Sequence, residues 1–311
     1  MENVMRIKWF EELDSTNNEL LRHVGDYDNL SVVAAVNQTA GRGQRGNRWI
    51  SAPGDNLTFS FLLKPSGLPA REVMAVTCLA TLAVRDALRE EGVPAVVKWP
   101  NDIYVGRRKI CGMLVENGLE GTDIAWSVVG IGINLNQTDF PGGVQNPTSL
   151  KRLTGRTYDP AAFLEKVCHG LEALLPALAS PDGRNGLRTA YERDLFLKDS
   201  PAAYRDLATG EEFTGLIRGI TPEGLLRMEK AGGPEKTFGF KEISYILYPF
   251  RRAAPAAAGS SALKTALPAT RMSTPAFARR PALSGVTPPS TSMRARLPIR
   301  LRSALTARTR A

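Results

Sequence analysis

Three glycines and two arginines share Gly41-Arg42-Gly43-Gln44-Arg45-Gly46, and Arg48 and Trp49 follow at once. Glycines let a backbone approach a ligand closely and turn its amides toward an anion. Arginines supply forked donors for phosphate or carboxylate, and an indole can cover a planar base. Four further stretches share this character: Asp14-Ser15-Thr16-Asn17-Asn18, Gln38, Lys98-Trp99-Pro100-Asn101-Asp102, and Arg107 to Gly112. Lys98 and Lys109 flank strands that otherwise read as core, where a lysine commonly snorkels to solvent. Together with Arg42 they can instead form a cationic pocket at a sheet end, fit for several phosphate charges. A merely solvated basic loop accounts for the arginines but not for the other four stretches.

The glycine loop also satisfies G-x-G-x-x-G, whose meaning depends on the strand before it and the helix after it. A strand does precede it, in "SVVAAVNQ". The residues after Gly46, "NRWISAPGDN", contain Pro53 and Gly54 and cannot be the pyrophosphate-binding helix. The next strand, "LTFSFLLK", ends in Lys64-Pro65 rather than in an acid for the ribose. Dinucleotide binding therefore fails two of its three context tests.

The elements that must position these groups follow from periodicity. Residues 4–10 read as a strand, and "DSTNNELLRHV" as a helix start with Thr16 as N-cap and Glu19 closing a capping box. From Ala70 to Glu91, apolar residues recur at helical spacing, which makes a long helix packed on a sheet. Short strands follow in "AVVKW", "DIYV", "KICGMLVEN" and "AWSVVGIGINLN", two of them joined by the tight "VGRRK". Asp159-Pro160 opens an amphipathic helix, and a shorter one lies near "GLRTAYERDLF". Residues 199–248 alternate in short runs broken by "ATGE", "TPEG" and "AGGPE", the texture of a small antiparallel barrel.

Composition narrows the chemistry. The net charge of +9 invites a nucleic-acid reading, but residues 251–311 hold 11 Arg, 1 Lys and no acid, and the remainder has 28 basic against 31 acidic residues. The basic signal belongs to the tail, which reads as disordered: a tether for nucleic acid or anionic lipid, or a reading-frame accident. Cys78, Cys111 and Cys168 form neither a disulfide framework nor a zinc spacing, and read as buried thiols. With only His23 and His169, a multi-histidine metal site is excluded and a Ser-His-Asp triad has almost nothing to draw on. No apolar run approaches the roughly 18 residues of a membrane span, and the start carries no signal sequence, so the expected location is cytoplasmic.

"DSTN", "QTAGRGQRGNRW", "KWPNDIYV", "RKICGMLVE" and "GIGINLN" stand in the order and near the spacing of biotin–protein ligases, which the chain resembles over about residues 5–250. The resemblance implies an α+β fold: a mixed β-sheet with helices packed on it, like that of class II synthetases, and a small C-terminal SH3-like barrel. The corresponding division is 1–190 catalytic, 199–250 barrel and 251–311 tail. It implies a carbon–nitrogen ligase that forms biotinyl-5′-AMP from biotin and ATP–Mg²⁺, then biotinylates a lysine of a biotin carboxyl carrier domain. No helix-turn-helix precedes the catalytic part, which matches a short form with no expected role on specific DNA. A monomer and a homodimer are both compatible.

Carried over residue by residue, Ser15, Thr16, Asn17 and Gln38 would hold biotin, with the backbone of Gly41 and Gly112 lining its pocket. Arg42 and Lys109 would bridge the biotin carboxylate and the α-phosphate as the catalytic pair. Arg45, Arg48, Lys98, Asn101 and Asn134 would contact ATP or the adenylate, Trp49 would stack on adenine, and Asp102 would hold Mg²⁺. Structural alternatives stand beside some of these: Asp102 as a hairpin cap, Asn134 as a turn residue, Glu116 as an ion-pair partner. Gln44 departs from the arginine of many relatives and puts adenylate retention in question. Competing functions are ligation of lipoate or another acyl acid on the same fold, or a non-catalytic biotin-sensing module.

Overall fold

The computed structural model describes residues 4–141 and 146–247, with Arg45 described by its backbone alone. The tail expected from residue 251 lies outside the described residues. Seven strands form the main sheet: β1 (Arg6–Leu13), β2 (Ser31–Gln38), β3 (Leu57–Leu63), β4 (Ala95–Lys98), β5 (Asp102–Val105), β6 (Arg108–Glu120) and β7 (Asp123–Ile133), in the order β1-β2-β3-β7-β6-β5-β4. β1 and β2 run parallel and the other ladders are antiparallel, so the sheet is mixed.

Period-two alternation gives this sheet one greasy and one functional face. Val32, Ala34, Phe59, Phe61, Cys111, Met113, Val129, Ile131 and Ile133 enter the main core. That core is closed by α2 (Met74–Glu90), with α4 (Pro160–Leu174) and α5 (Pro181–Arg193) packed on it. The intervening residues, among them Ser60, Gly112, Leu114, Glu116, Gly130 and Gly132, fall on the opposite face. There α1 (Thr16–Arg22) packs Leu20 against Val33, Leu62 and Val128.

Several expected boundaries shift for local reasons. The helix expected from Ala70 begins at Met74, after a 3₁₀ turn over Ala70–Glu72. Ser15, not Thr16, is the N-cap of α1, and Glu19 closes no capping box: its amide bonds the Ser15 carbonyl while its carboxylate accepts from Tyr27. Thr16 is unavailable as a cap because its hydroxyl is engaged inside the sheet. Asp159 does cap α4, accepting from the Ala161 amide, with Pro160 in the first turn. A short helix, α3 (Leu150–Thr154), has no counterpart in the sequence reading and is capped by Ser149 and ended by Gly155 at φ +75°.

The C-terminal part is a five-stranded antiparallel sheet of β8 (Ala202–Asp206), β9 (Glu212–Ile220), β10 (Leu226–Lys230), β11 (Glu235–Phe238) and β12 (Ile243–Tyr245), ordered β11-β10-β9-β8-β12. It curls over Tyr204, Ile217, Met228, Phe238 and Ile243, and no ladder joins β11 to β12 among the described residues. Its attachment to the rest of the fold is specific: Trp99, just after β4, donates to the Gly224 carbonyl at 2.9 Å, and the Ile220 amide donates to Glu192 of α5 at 2.9 Å. Phe196 bridges the two parts, 5.5 Å from the Tyr104 ring and 6.3 Å from that of Tyr245. No helix among the described residues is long and apolar enough to cross a membrane.

Candidate active site

On the functional face lies a cavity of about 450 Å³, lined by Ser15, Thr16, Asn17, Gln38, Arg42, Arg48, Trp49, Lys98, Asn101, Asp102, Lys109 and Gly112 among others. Residues far apart in the chain meet here because they share one face of the sheet or the loops at its edge. One end is neutral and closely wired. The Thr16 amide donates to Gln38 Oε1 at 2.8 Å, and the Thr16 hydroxyl lies 2.7 Å from that of Ser60. Ser60 donates to Asn17 Oδ1 at 2.6 Å, and Asn17 Nδ2 donates to Glu116 at 2.9 Å. Ser15 is buried beside this chain of bonds and its hydroxyl makes no cap bond.

The other end gathers cations. Arg42 donates to both carboxylate oxygens of Glu116, at 2.7 and 3.0 Å, and to Asn18 at 2.9 Å. Lys109 Nζ pairs with Asp102 at 2.7 Å. Lys98 sits between aromatic rings, and burial pulls its pKa below the ordinary lysine value. Arg48 donates to the Thr39 carbonyl at 3.2 Å, which fastens the far side of the glycine loop. Asn101 is buried and donates to the Met113 carbonyl.

Lys109 reaches this face only through a β-bulge. Strict alternation would put residue 109 on the core side with Cys111 and Met113. In the β5–β6 ladder Tyr104 opposes Lys109 while Ile103 opposes Cys111, so the extra residue sends both Ile110 and Cys111 inward. Bulges commonly re-aim a side chain in this way. The Lys109 side chain then lies across Gly112, where an added Cβ would sit 2.9 Å from its Nζ.

Glycines make the floor flat. Gly112 and Gly132 are register partners on adjacent strands, and a Cβ on Gly132 would lie 2.3 Å from the Trp49 indole. The indole Nε1 is buried with no hydrogen-bond partner, as is Gln44 Oε1. The loop closes on itself through the Trp49 amide and the Gly41 carbonyl at 3.0 Å, and a Cβ on Gly41 would meet the Trp49 carbonyl oxygen at 2.5 Å.

The family model for the biotin/lipoate A/B protein ligase family matches residues 9–134. The chain is 35% identical to the biotin--[acetyl-CoA-carboxylase] ligase of Paracoccus denitrificans over 228 residues, which are 71% of this chain and 92% of that relative. The chain belongs to the biotin protein ligase family. The ligase is also 32% identical to the bifunctional ligase/repressor BirA of Salmonella typhimurium over 223 residues, covering 71% of this chain and 68% of BirA. Its fold is similar to that of the biotin protein ligase of Aquifex aeolicus solved in complex with biotin and ATP, with a TM-score of 0.64 and 27% identity, over 77% of this chain and 97% of that one.

Two expected site residues of the ligase are set back from the cavity. Gly41 stands behind it in the loop closure just described. Asn134 uses its carboxamide to donate to the Thr148 carbonyl at 2.9 Å, and its backbone ties β6 to the start of α3. These bonds match the strand-ending alternative for Asn134. The Arg45 side chain lies outside the described structure. Conversely, Ser60, Gly130, Gly132, Tyr104 and Tyr245 line or brace the site unannounced. Ser60 left a trace, as the only hydrophilic residue inside "FSFLL", and "GIGI" left another in glycines two apart on a strand. Tyr245 left none, since only the packing of the small sheet brings it there.

Proposed function

We propose that the ligase activates biotin with ATP and passes it to a lysine of a biotin carboxyl carrier domain. The observation that carries this reading is the polarity of the cavity: a neutral network of Ser15, Thr16, Asn17 and Gln38 faces a cluster of Arg42, Lys98 and Lys109. A ureido ring offers one acceptor and two donors, and suits the neutral end. The cationic end suits a carboxylate beside a triphosphate.

In the first step a biotin carboxylate oxygen attacks the α-phosphorus and the bond to pyrophosphate breaks. Two anions approach each other, so positioning and fixed positive charge lower the barrier. Arg42 and Lys109 bridge the carboxylate and the α-phosphate, and Lys98 with Asn101 holds phosphate oxygens. Arg48 and Arg45 serve the adenylate from the loop. The Trp49 indole rests directly on the Gly112 and Gly132 floor, which has no side chain to displace it, and from there it would stack on adenine. Asn134 supports this floor rather than touching nucleotide. In the second step the carrier amine attacks the carbonyl of the mixed anhydride and AMP leaves.

Magnesium enters with the nucleotide. No group of three or more potential metal ligands exists among the described residues, while Asp102 lies beside the phosphate-binding cations. One protein carboxylate with substrate phosphates and water is an ordinary Mg²⁺ environment, and Asp102 would supply that carboxylate. The test is labelling: a purified carrier domain incubated with the protein, ATP, Mg²⁺ and biotin should gain one biotin on one lysine. A carrier left unlabelled under these conditions would remove the transfer step.

A further inference from the structure

Three of the cations lining the cavity are held by partners of different kinds. Arg42 is clasped by Glu116 and Lys109 by Asp102. Among the described residues, Lys98 forms no ion pair within 4.0 Å. Its ammonium lies 4.5 Å from the ring centroid of Tyr245 and 5.4 Å from that of Tyr104. Tyr104 stands on β5 opposite Val96, two places along from Asp102, the register partner of Lys98. Tyr245 comes from β12 of the small C-terminal sheet, where the Tyr204 ring, 5.3 Å away, fixes it.

We infer that Tyr245 is a positioning residue for ATP: its ring, with that of Tyr104, holds Lys98 aimed into the cavity as a cation with no anion to displace. This rests on the ligase reading and deepens it by making the small sheet part of the nucleotide site. An aromatic face attracts an ammonium through its quadrupole and leaves the charge unneutralised. A carboxylate partner has to be shared or released when a phosphate arrives, as Glu116 and Asp102 must be. Lys98 needs no such exchange, so it can take the first phosphate contact. The two rings also restrict a flexible four-carbon stem whose ordering would otherwise be charged to substrate binding.

The experiment is biotin-dependent ATP–pyrophosphate exchange by the full chain, with KM for ATP and for biotin measured separately. Tyr245→Met keeps much of the volume and removes the π face. It is expected to raise the KM for ATP by about 3- to 30-fold, the span of a cation–π contact, with the KM for biotin within about twofold. Tyr245→Phe retains the ring and should recover the ATP KM to within about twofold of the unsubstituted chain. In a Lys98→Met background, Tyr245→Met should add no further ATP-specific loss, because both act through one contact. If Tyr245→Met lowers the melting temperature, Tyr104→Met removes the other ring and should give the same ATP-specific change. An unchanged ATP KM in the folded Tyr245→Met variant, equal losses for ATP and biotin, or additive losses with Lys98→Met would overturn the inference alone. Absence of exchange in the unsubstituted protein would overturn the ligase reading, and this inference with it.

Discussion

The Arg42 guanidinium grips both carboxylate oxygens of Glu116, one residue from the glycine loop and the other from β6. Glu116 thereby ties the loop to the sheet, and under the proposed function a substrate carboxylate or phosphate would compete for the same fork. Arg42→Ala should reduce adenylate formation by about 10²–10³, the usual cost of one electrostatic donor. Glu116→Gln should change it by less than about tenfold, because a partly exposed pair contributes about 1 kcal/mol or less. Single-turnover formation of biotinyl adenylate measures both. Arg42→Ala within threefold of the unsubstituted rate would remove Arg42 from the step.

Lys109 pairs with Asp102 at the rim of the cavity, and neither residue belongs to the core. Lys109→Ala should abolish detectable adenylate formation, a loss of at least about 10². The melting temperature should move by no more than about 2 °C, as expected for a partly exposed ion pair. Unchanged turnover would show that the β-bulge aims this lysine for some other purpose.

Gly132 lies directly beneath the Trp49 indole, and a methyl there would overlap the ring. The Trp49 indole must shift to admit it, so Gly132→Ala should cost about 1–3 kcal/mol of stability while raising the KM for ATP several-fold. Gly130→Ala meets Asn17, whose amide is fixed by Ser60 and Glu116, and should weaken biotin binding instead. Separate titrations with the two substrates distinguish these outcomes. The assignment of the Trp49 side to ATP and the Asn17 side to biotin is refuted if both variants bind both substrates normally.

Asp14, next to Ser15, accepts two hydrogen bonds from Arg22 at 2.9 Å, and these hold its carboxyl well below the usual carboxylate range. Asn18 and a backbone amide reinforce the shift, and burial opposes it. The folded pKa is depressed, so the associated stability is present above the unfolded value near 3.9 and is lost as pH falls toward the folded one. Thermal melts between pH 7 and pH 3 should show Asp14→Asn losing less stability on acidification than the unsubstituted chain. Solvent screening limits the difference to about 1 kcal/mol or less. Identical acid limbs would contradict the linkage.

Much of this site was legible because its residues had to be polar where a strand or helix start would otherwise be apolar. Lys98 and Lys109 beside core strands, Gln38 ending β2 and the Ser15-Thr16 junction all stood out for that reason, and all line one cavity. Strand order was beyond the reach of periodicity, since β4 to β7 could pair in several orders with the same alternation. The bulge at Lys109 was hidden as well, because alternation alone would have buried that lysine. Thr16 misled as an N-cap because its hydroxyl finds Ser60 on β3, a partner 44 positions away. For Asn134 the sequence left two roles open, because a strand-ending amide can serve a loop as readily as a ligand. Tyr245 depends on how two sheets pack, which no local pattern encodes.

The family model spans both biotin and lipoate ligases, so the central claim turns on which acid the neutral end of the cavity accepts. Pyrophosphate exchange into ATP, measured with each acid supplied alone, tests that claim most directly. The account predicts rapid exchange with biotin and none above background with lipoate. Exchange that proceeds with lipoate and fails with biotin would contradict it.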